Sequence, residues 1–177
     1  MFDLSKFNPR VGRILALDGA GDRLMPLASG TCSCPEAFKL LQATNAHELF
    51  PQSRAPEAAM AGLYLYFSCL DEAHTVAQAV ETTDGSFWHG IMHRQEPDAG
   101  NAGYWFRRVG KHTVFPDLRK AADALGYSAG SAWDPFAFIE DCEEARRHPK
   151  SERERLMQKV QLAEWQLLFD HCAAAPS

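Results

Sequence analysis

The sequence predicts an all-α fold. Apolar residues recur at helical spacing in nearly every segment, and proline repeatedly stands just inside a helix-start signal. No segment alternates apolar and polar residues as a half-buried strand would. The expected architecture is a single domain over residues 1–177. It consists of antiparallel helical hairpins, with motif-bearing hairpins over 56–112 and further helices over 115–175.

Each helix has its own punctuation. "NPRVGRILAL" opens on Asn8 as a cap and Pro9 at the first helical position, and "DGAGDRLMP" ends it as a turn. "SCPEAFKLLQA" repeats the signal with Pro35, and "RAPEAAMAGLYLYFSCL" repeats it with Pro56. That third helix is apolar on almost every side, so it belongs at the centre of the core. "LDEAHTVAQAVE" follows a short break near Ser68 to Leu70, with Asp71 and Glu72 in its first turn, where carboxylates favour the helix dipole. "GSFWHGIMHRQE" and "GNAGYWFRRVG" are separated by "PDA": Pro97 stops the first, and Gly110 terminates the second. "FPDLRKAADALG", "DPFAFIEDCEEARRH" with Asp134 as cap, and a last helix from about Ser151 to Cys172 complete the chain.

A faint repeat links residues 70–80 to 99–109 at a spacing of 29, placing Ala73 over Ala102, Ala77 over Phe106 and Val80 over Val109. Upstream, Gly62 corresponds to Gly90. Small residues at these positions suit closely crossing helices. Degenerate tetratricopeptide-like hairpins would produce this pattern, and so would two unrelated amphipathic hairpins that share alanine.

The totals exclude several classes. The net charge of −5 argues against nucleic acid and against an anionic membrane surface. No apolar run reaches a membrane-spanning length, and "MFDLSKFNPR" lacks a signal-peptide core, so a cytoplasmic location is expected. Five scattered cysteines then read as free thiols, and "CSC" has no partner pair at zinc-site spacing.

Chemistry concentrates in Gly85–His112, which holds three histidines, three arginines, two tryptophans and Glu96. On a helix, His89, His93 and Glu96 fall near 205° when Phe87 is set at zero, whereas Phe87, Trp88, Ile91 and Met92 cluster at about 70°. His74 on the preceding helix could approach His89 and His93 across a hairpin. Three imidazoles and the Glu96 carboxylate would suit a divalent transition metal such as zinc, iron or manganese. Pro97 biases Glu96 out of helical geometry, the arginines oppose a cation, and "HGIMH" lacks the glutamate of the zinc-protease signature. Histidines on a hydrogen-bonded structural face are the competing reading.

The same stretch also supports a ligand cleft. Trp88, Tyr104, Trp105, His74, His89, His93, Arg94, Asn101, Arg107 and Arg108 offer aromatic walls and directed cations, which suit a small polar or anionic molecule. His93 and Glu96 are the acid–base candidates if a reaction is catalysed. The alternative is a helical-hairpin module that docks a protein partner without catalysis, for which exposed apolar grooves would be needed.

"SFWHGIMHRQEPDAGNAGYWFRRVGKHTVF", preceded by "LYLYFSCLDEAHTVAQAVE", resembles a family of uncharacterised bacterial and fungal proteins over about Gly62 to Phe115. The family pattern is of the type S-F-W-H-x-I-x-H-R-x-E-x-D-x-x-N-A-x-Y-W-F-R-R-x-G-x-H-P, and this chain has Thr113 in place of the final proline. The resemblance implies that His74, Trp88, His89, His93, Arg94, Glu96, Asp98, Asn101, Tyr104, Trp105, Arg107, Arg108 and His112 form a recognisable core. It implies no activity.

Overall fold

The computed structural model describes residues 1–175. Among these residues there is no strand. Ten α-helices follow in order: α1 (Pro9–Ala16), α2 (Pro35–Gln42), α3 (Ala46–Leu49), α4 (Pro56–Tyr66), α5 (Leu70–Gln78), α6 (Thr83–Gln95), α7 (Ala99–Val109), α8 (Phe115–Ala124), α9 (Pro135–Arg146) and α10 (Glu152–Ala173). Two 3-10 turns, Leu4–Lys6 and Gly19–Gly21, flank α1. Among the described residues, no helix is long and apolar enough to cross a membrane.

Local chemistry sets most boundaries. Asn8 accepts from the Arg10 N–H at 2.9 Å, and Ser151 accepts from the Glu154 N–H at 3.1 Å, satisfying amides that the first helical turn leaves free. Two boundaries differ from the sequence reading. Helix α3 is too short to show periodicity, but Asn45 and Glu48 close a reciprocal cap: the Glu48 N–H reaches Asn45 at 3.0 Å, and the Asn45 amide reaches the Glu48 carboxylate at 2.8 Å. Helix α6 begins before Gly85 because Thr82 caps it, accepting from the Gly85 N–H at 3.2 Å.

The core is centred on α4, as its all-round apolar character predicts: every residue from Ala58 to Tyr66 is buried. Gly62 allows the closest approach. A Cβ there would lie 2.7 Å from the Trp88 ring of α6 and 3.2 Å from Phe169 of α10. The Trp165 indole on α10 donates to the Gly62 carbonyl at 2.8 Å. Gly90 does the same between α6 and α7, where a Cβ would meet Phe106 at 2.6 Å. Gly62 and Gly90, which the sequence aligns with each other, thus both sit at helix crossings.

Helices α6 and α10 run in opposite directions, because Asp84 near the start of α6 meets His171 near the end of α10 while Arg94 meets Glu164. The expectation of five free thiols is corrected. Cys32 and Cys69 form a disulfide with their Cα atoms 4.5 Å apart, while Cys34, Cys142 and Cys172 remain free. The loop before α2 runs back over the α4–α5 turn, with the Ser33 N–H donating to the Phe67 carbonyl at 2.7 Å. That tertiary return joins residues 37 apart, which spacing along the chain does not reveal.

Candidate functional site

The three imidazoles of the hairpin meet. His74 of α5 lies edge-on to His89 and His93 of α6, with ring centroids 5.2 and 5.7 Å away, and His89 and His93 stack at 5.9 Å. His93 Nδ1 lies 2.9 Å from a Glu96 oxygen, in a direction that makes no hydrogen bond. His89 is fully buried, covered by Trp105 of α7 in a face-to-face stack at 4.0 Å. Arg108 covers Trp105 in turn, 5.4 Å above its ring. Both faces of α6 are therefore covered, so His89, which a helical wheel sets away from the apolar face, is buried as well.

Neither ring nitrogen of His89 has a hydrogen-bond partner. Burial first, and then the neighbouring His74 and His93 rings, push its pKa down to about 4, with the Gly85 carbonyl opposing this in part. The rings converge, but the donor atoms of His74, His89, His93 and Glu96 do not form a set lying within 4.8 Å of one another, as two other groups do among the described residues.

The other residues of the motif separate. Arg94 is fully buried and held by Glu164 and Gln161 of α10, with Nη1 to Glu164 Oε1 and Nη2 to Gln161 Oε1 both at 3.3 Å, and its guanidinium lies 4.6 Å over the Phe138 ring. Trp88 is core against Gly62. Asn101 is engaged by Asp98, which caps α7 by accepting from the Asn101 N–H at 3.0 Å and binds its side-chain amide at 2.6 Å. Tyr104 is exposed. These residues form structural contacts, and none lines the cleft that holds Arg107.

Asp84 and His171 join His112 in a cluster that sequence spacing did not suggest, because His171 comes from the last helix. His112 Nε2 lies 2.9 Å from Asp84 Oδ1, and His171 Nε2 lies 3.3 Å from the same oxygen. The Val114 backbone N–H donates to His112 Nδ1 at 3.2 Å, so the ring carries its proton on Nε2 and gives it to Asp84. A metal at Nε2 would need that proton removed while Nδ1 is already accepting, the reverse of the usual arrangement around a metal-bound histidine. Burial pushes the Asp84 carboxyl up, but the His112 hydrogen bond and the nearby His171 and Arg54 charges outweigh it and hold the pKa low. Proton tethering fits this cluster better than cation binding.

A cleft of about 900 Å³ opens where the end of α7, the start of α8 and the segment before α9 meet. Arg107, Lys111 and Arg119 line it, with Phe106, Phe115, Trp133 and Phe136 as apolar walls and His112 at its inner edge. Asp134 supplies the one carboxylate on the lining, and α9 uses it as a cap, accepting from Phe136 N–H at 2.9 Å and Ala137 N–H at 3.3 Å. Helix α8 begins at the cleft without a side-chain cap, which adds the positive end of its dipole. The Trp133 indole N–H is buried without a partner. Arg107 of the sequence-derived site belongs here. Trp133 was missed because residues 131–136 return to α7 only in three dimensions, whereas Lys111, four residues after Arg107, lies within the same polar stretch and was open to sequence reading.

Comparison with family models, curated proteins and solved structures returns no match.

Proposed function

We propose that this protein binds a small anionic molecule with an apolar body in the cleft between α7, α8 and the start of α9. The observation carrying this reading is the lining: Arg107 and Lys111, together with Arg119, which pairs with Asp123 of its own helix, face four aromatic side chains around about 900 Å³, and the one carboxylate on the lining is occupied as a helix cap. A carboxylate or phosphate group would meet Arg107 and Lys111, and an aromatic or aliphatic body would stack on Phe115 and Trp133. Binding is assigned, and no reaction. The site uses the end of the histidine-rich segment, while the triple-histidine cluster lies on another face of α7. A protein-docking reading has less support, since the exposed large apolar residues Leu17, Leu40, Tyr104, Leu125 and Phe136 are distributed over separate helices.

Calorimetric titration with benzoate, phenyl phosphate and a short-chain fatty acid tests the proposal. At least one probe is expected to bind saturably. Arg107→Ala and Lys111→Ala should each weaken it by about tenfold, the scale of one charge-assisted hydrogen bond. Arg108→Ala, on Trp105, should leave affinity unchanged. No saturable binding by any probe, or binding indifferent to both cation variants, overturns the reading.

A further inference from the structure

A second site lies at the α4–α5 turn, away from the anion cleft. Cys32, Cys69 and Glu72 present a sulfur, a sulfur and a carboxylate oxygen that all lie within 4.8 Å of one another. They sit in a separate hollow of about 400 Å³, also lined by Ser68, Asp71 and Glu96. Its lining has three carboxylates and no lysine or arginine. The Arg23 guanidinium, which reaches Ser68 Oγ at 3.4 Å, is paired with Asp18 at 2.9 Å. The hollow therefore attracts cations, opposite in sign to the anion cleft.

We propose that the reduced form of this site binds a thiophilic divalent cation of the zinc class, with Cys32 and Cys69 as thiolates, Glu72 as the third ligand and water as the fourth. Two thiolates and a carboxylate with one open position match zinc's preference for four soft-to-borderline donors. A zinc ion with Zn–S of about 2.3 Å sets tetrahedral sulfurs about 3.8 Å apart. Reaching that separation requires the two sulfurs to turn apart after reduction, on Cα atoms 4.5 Å from each other. Cys32 is half-buried, so solvent reaches the site, whereas Cys69 is held in the core at the N-cap of α5.

Metal and disulfide exclude each other. A dithiol reductant transfers two electrons and two protons to Cys32–Cys69: the S–S bond breaks, two thiols form, and the reductant leaves as its own disulfide. The cation then displaces two protons and forms two metal–sulfur bonds. A disulfide oxidant reverses this: the two thiolates join in the S–S bond and release the ion, and the oxidant takes up the two electrons and two protons and leaves as a dithiol, so occupancy follows the redox state of the surroundings.

Cobalt(II) titration of the full chain, purified without an affinity tag, tests this. After reduction and removal of the reductant, one equivalent should give a thiolate-to-cobalt charge-transfer band and tetrahedral d–d absorption, both displaced by zinc. The oxidised chain should give neither. Cys32→Ser should abolish the charge-transfer band's full intensity and lower affinity by at least 100-fold. Glu72→Gln should keep the band and lower affinity about tenfold or more. Cys142→Ser and Cys34→Ser should change nothing. Because Cys69→Ser alters a buried position, the half-buried Cys32 variant carries the test, with circular dichroism verifying its fold. Absence of a thiolate band in the reduced wild type overturns the proposal. An unchanged band in folded Cys32→Ser, or a band lost in Cys34→Ser, also overturns it.

Discussion

Acidification should destabilise this protein through one buried ring. His89 is fully buried, with its pKa lowered from 6.5 to about 4. Its unfolded-state pKa is the ordinary one, so between these values the unfolded chain binds the proton that the folded chain refuses. The stability linked to this group is complete above about pH 6.5, falls as pH drops towards about 4, and changes no further below that. At about 1.4 kcal/mol per pKa unit, the full shift corresponds to about 3 kcal/mol. The His74 side of the cluster and Glu96 are partly open to solvent, which screens the neighbouring charges and reduces the expected loss to about 2 kcal/mol. His89→Phe preserves the ring stack on Trp105 and removes the titration. Urea unfolding of both proteins at pH 7, 6, 5 and 4 isolates the term, because shared carboxylate effects cancel in the difference. The wild type should lose about 2 kcal/mol relative to the variant across that range. A flat difference, or a wild type that gains on the variant as pH falls, would show that the folded ring takes up its proton without cost.

Two further substitutions probe the interior. Glu164→Gln leaves the Arg94 charge buried without its counter-ion and should cost about 3 kcal/mol in urea unfolding, whereas replacing both partners by Met and Leu should recover most of that loss. Gly90→Ala forces a methyl group to 2.6 Å from the Phe106 ring and should lower stability by about 2 kcal/mol, with Phe106→Leu in the same chain restoring part of it.

The helical class was legible because its signals are local. Asn8, Pro35, Pro56 and Asp134 act through atoms two or three residues away, so sequence order preserves the information. Helix α4 belongs in the core because no face of it beyond its first turn is polar, and it is buried from Ala58 to Tyr66. The convergence of His74 with His89 and His93 followed from one hairpin. What sequence hid depends on returns between distant segments. Arg94 reads as a ligand-binding cation until α10 brings Glu164 to it. Asp84 and His171 have no spacing that links them. Cys32 meets Cys69 because a loop crosses the α4–α5 turn. Each is a tertiary contact with no local periodic trace.

The motif's polar residues have a common task in placing α6. Arg94 fastens one end of that helix to Glu164, and Asp84 fastens the other to His112 and His171. A buried ion pair is a weak source of net stability, because desolvating both charges offsets most of their attraction. Its geometric demand is strong. Sliding α6 by one turn, about 5.4 Å, along α10 would break both attachments and leave buried charges unpaired. The apolar contacts alone are far more tolerant of such a shift, since Leu, Val and Phe surfaces can repack. His112 carries the constraint onward: it is tied to Asp84 through Nε2 and to Val114 through Nδ1, which fixes the turn between α7 and α8. Arg107 and Lys111 stand on that turn's near side and Arg119 on its far side. The buried polar contacts thus set the spacing of the cations across the cleft, although Arg94, Asp84 and Glu164 do not line it.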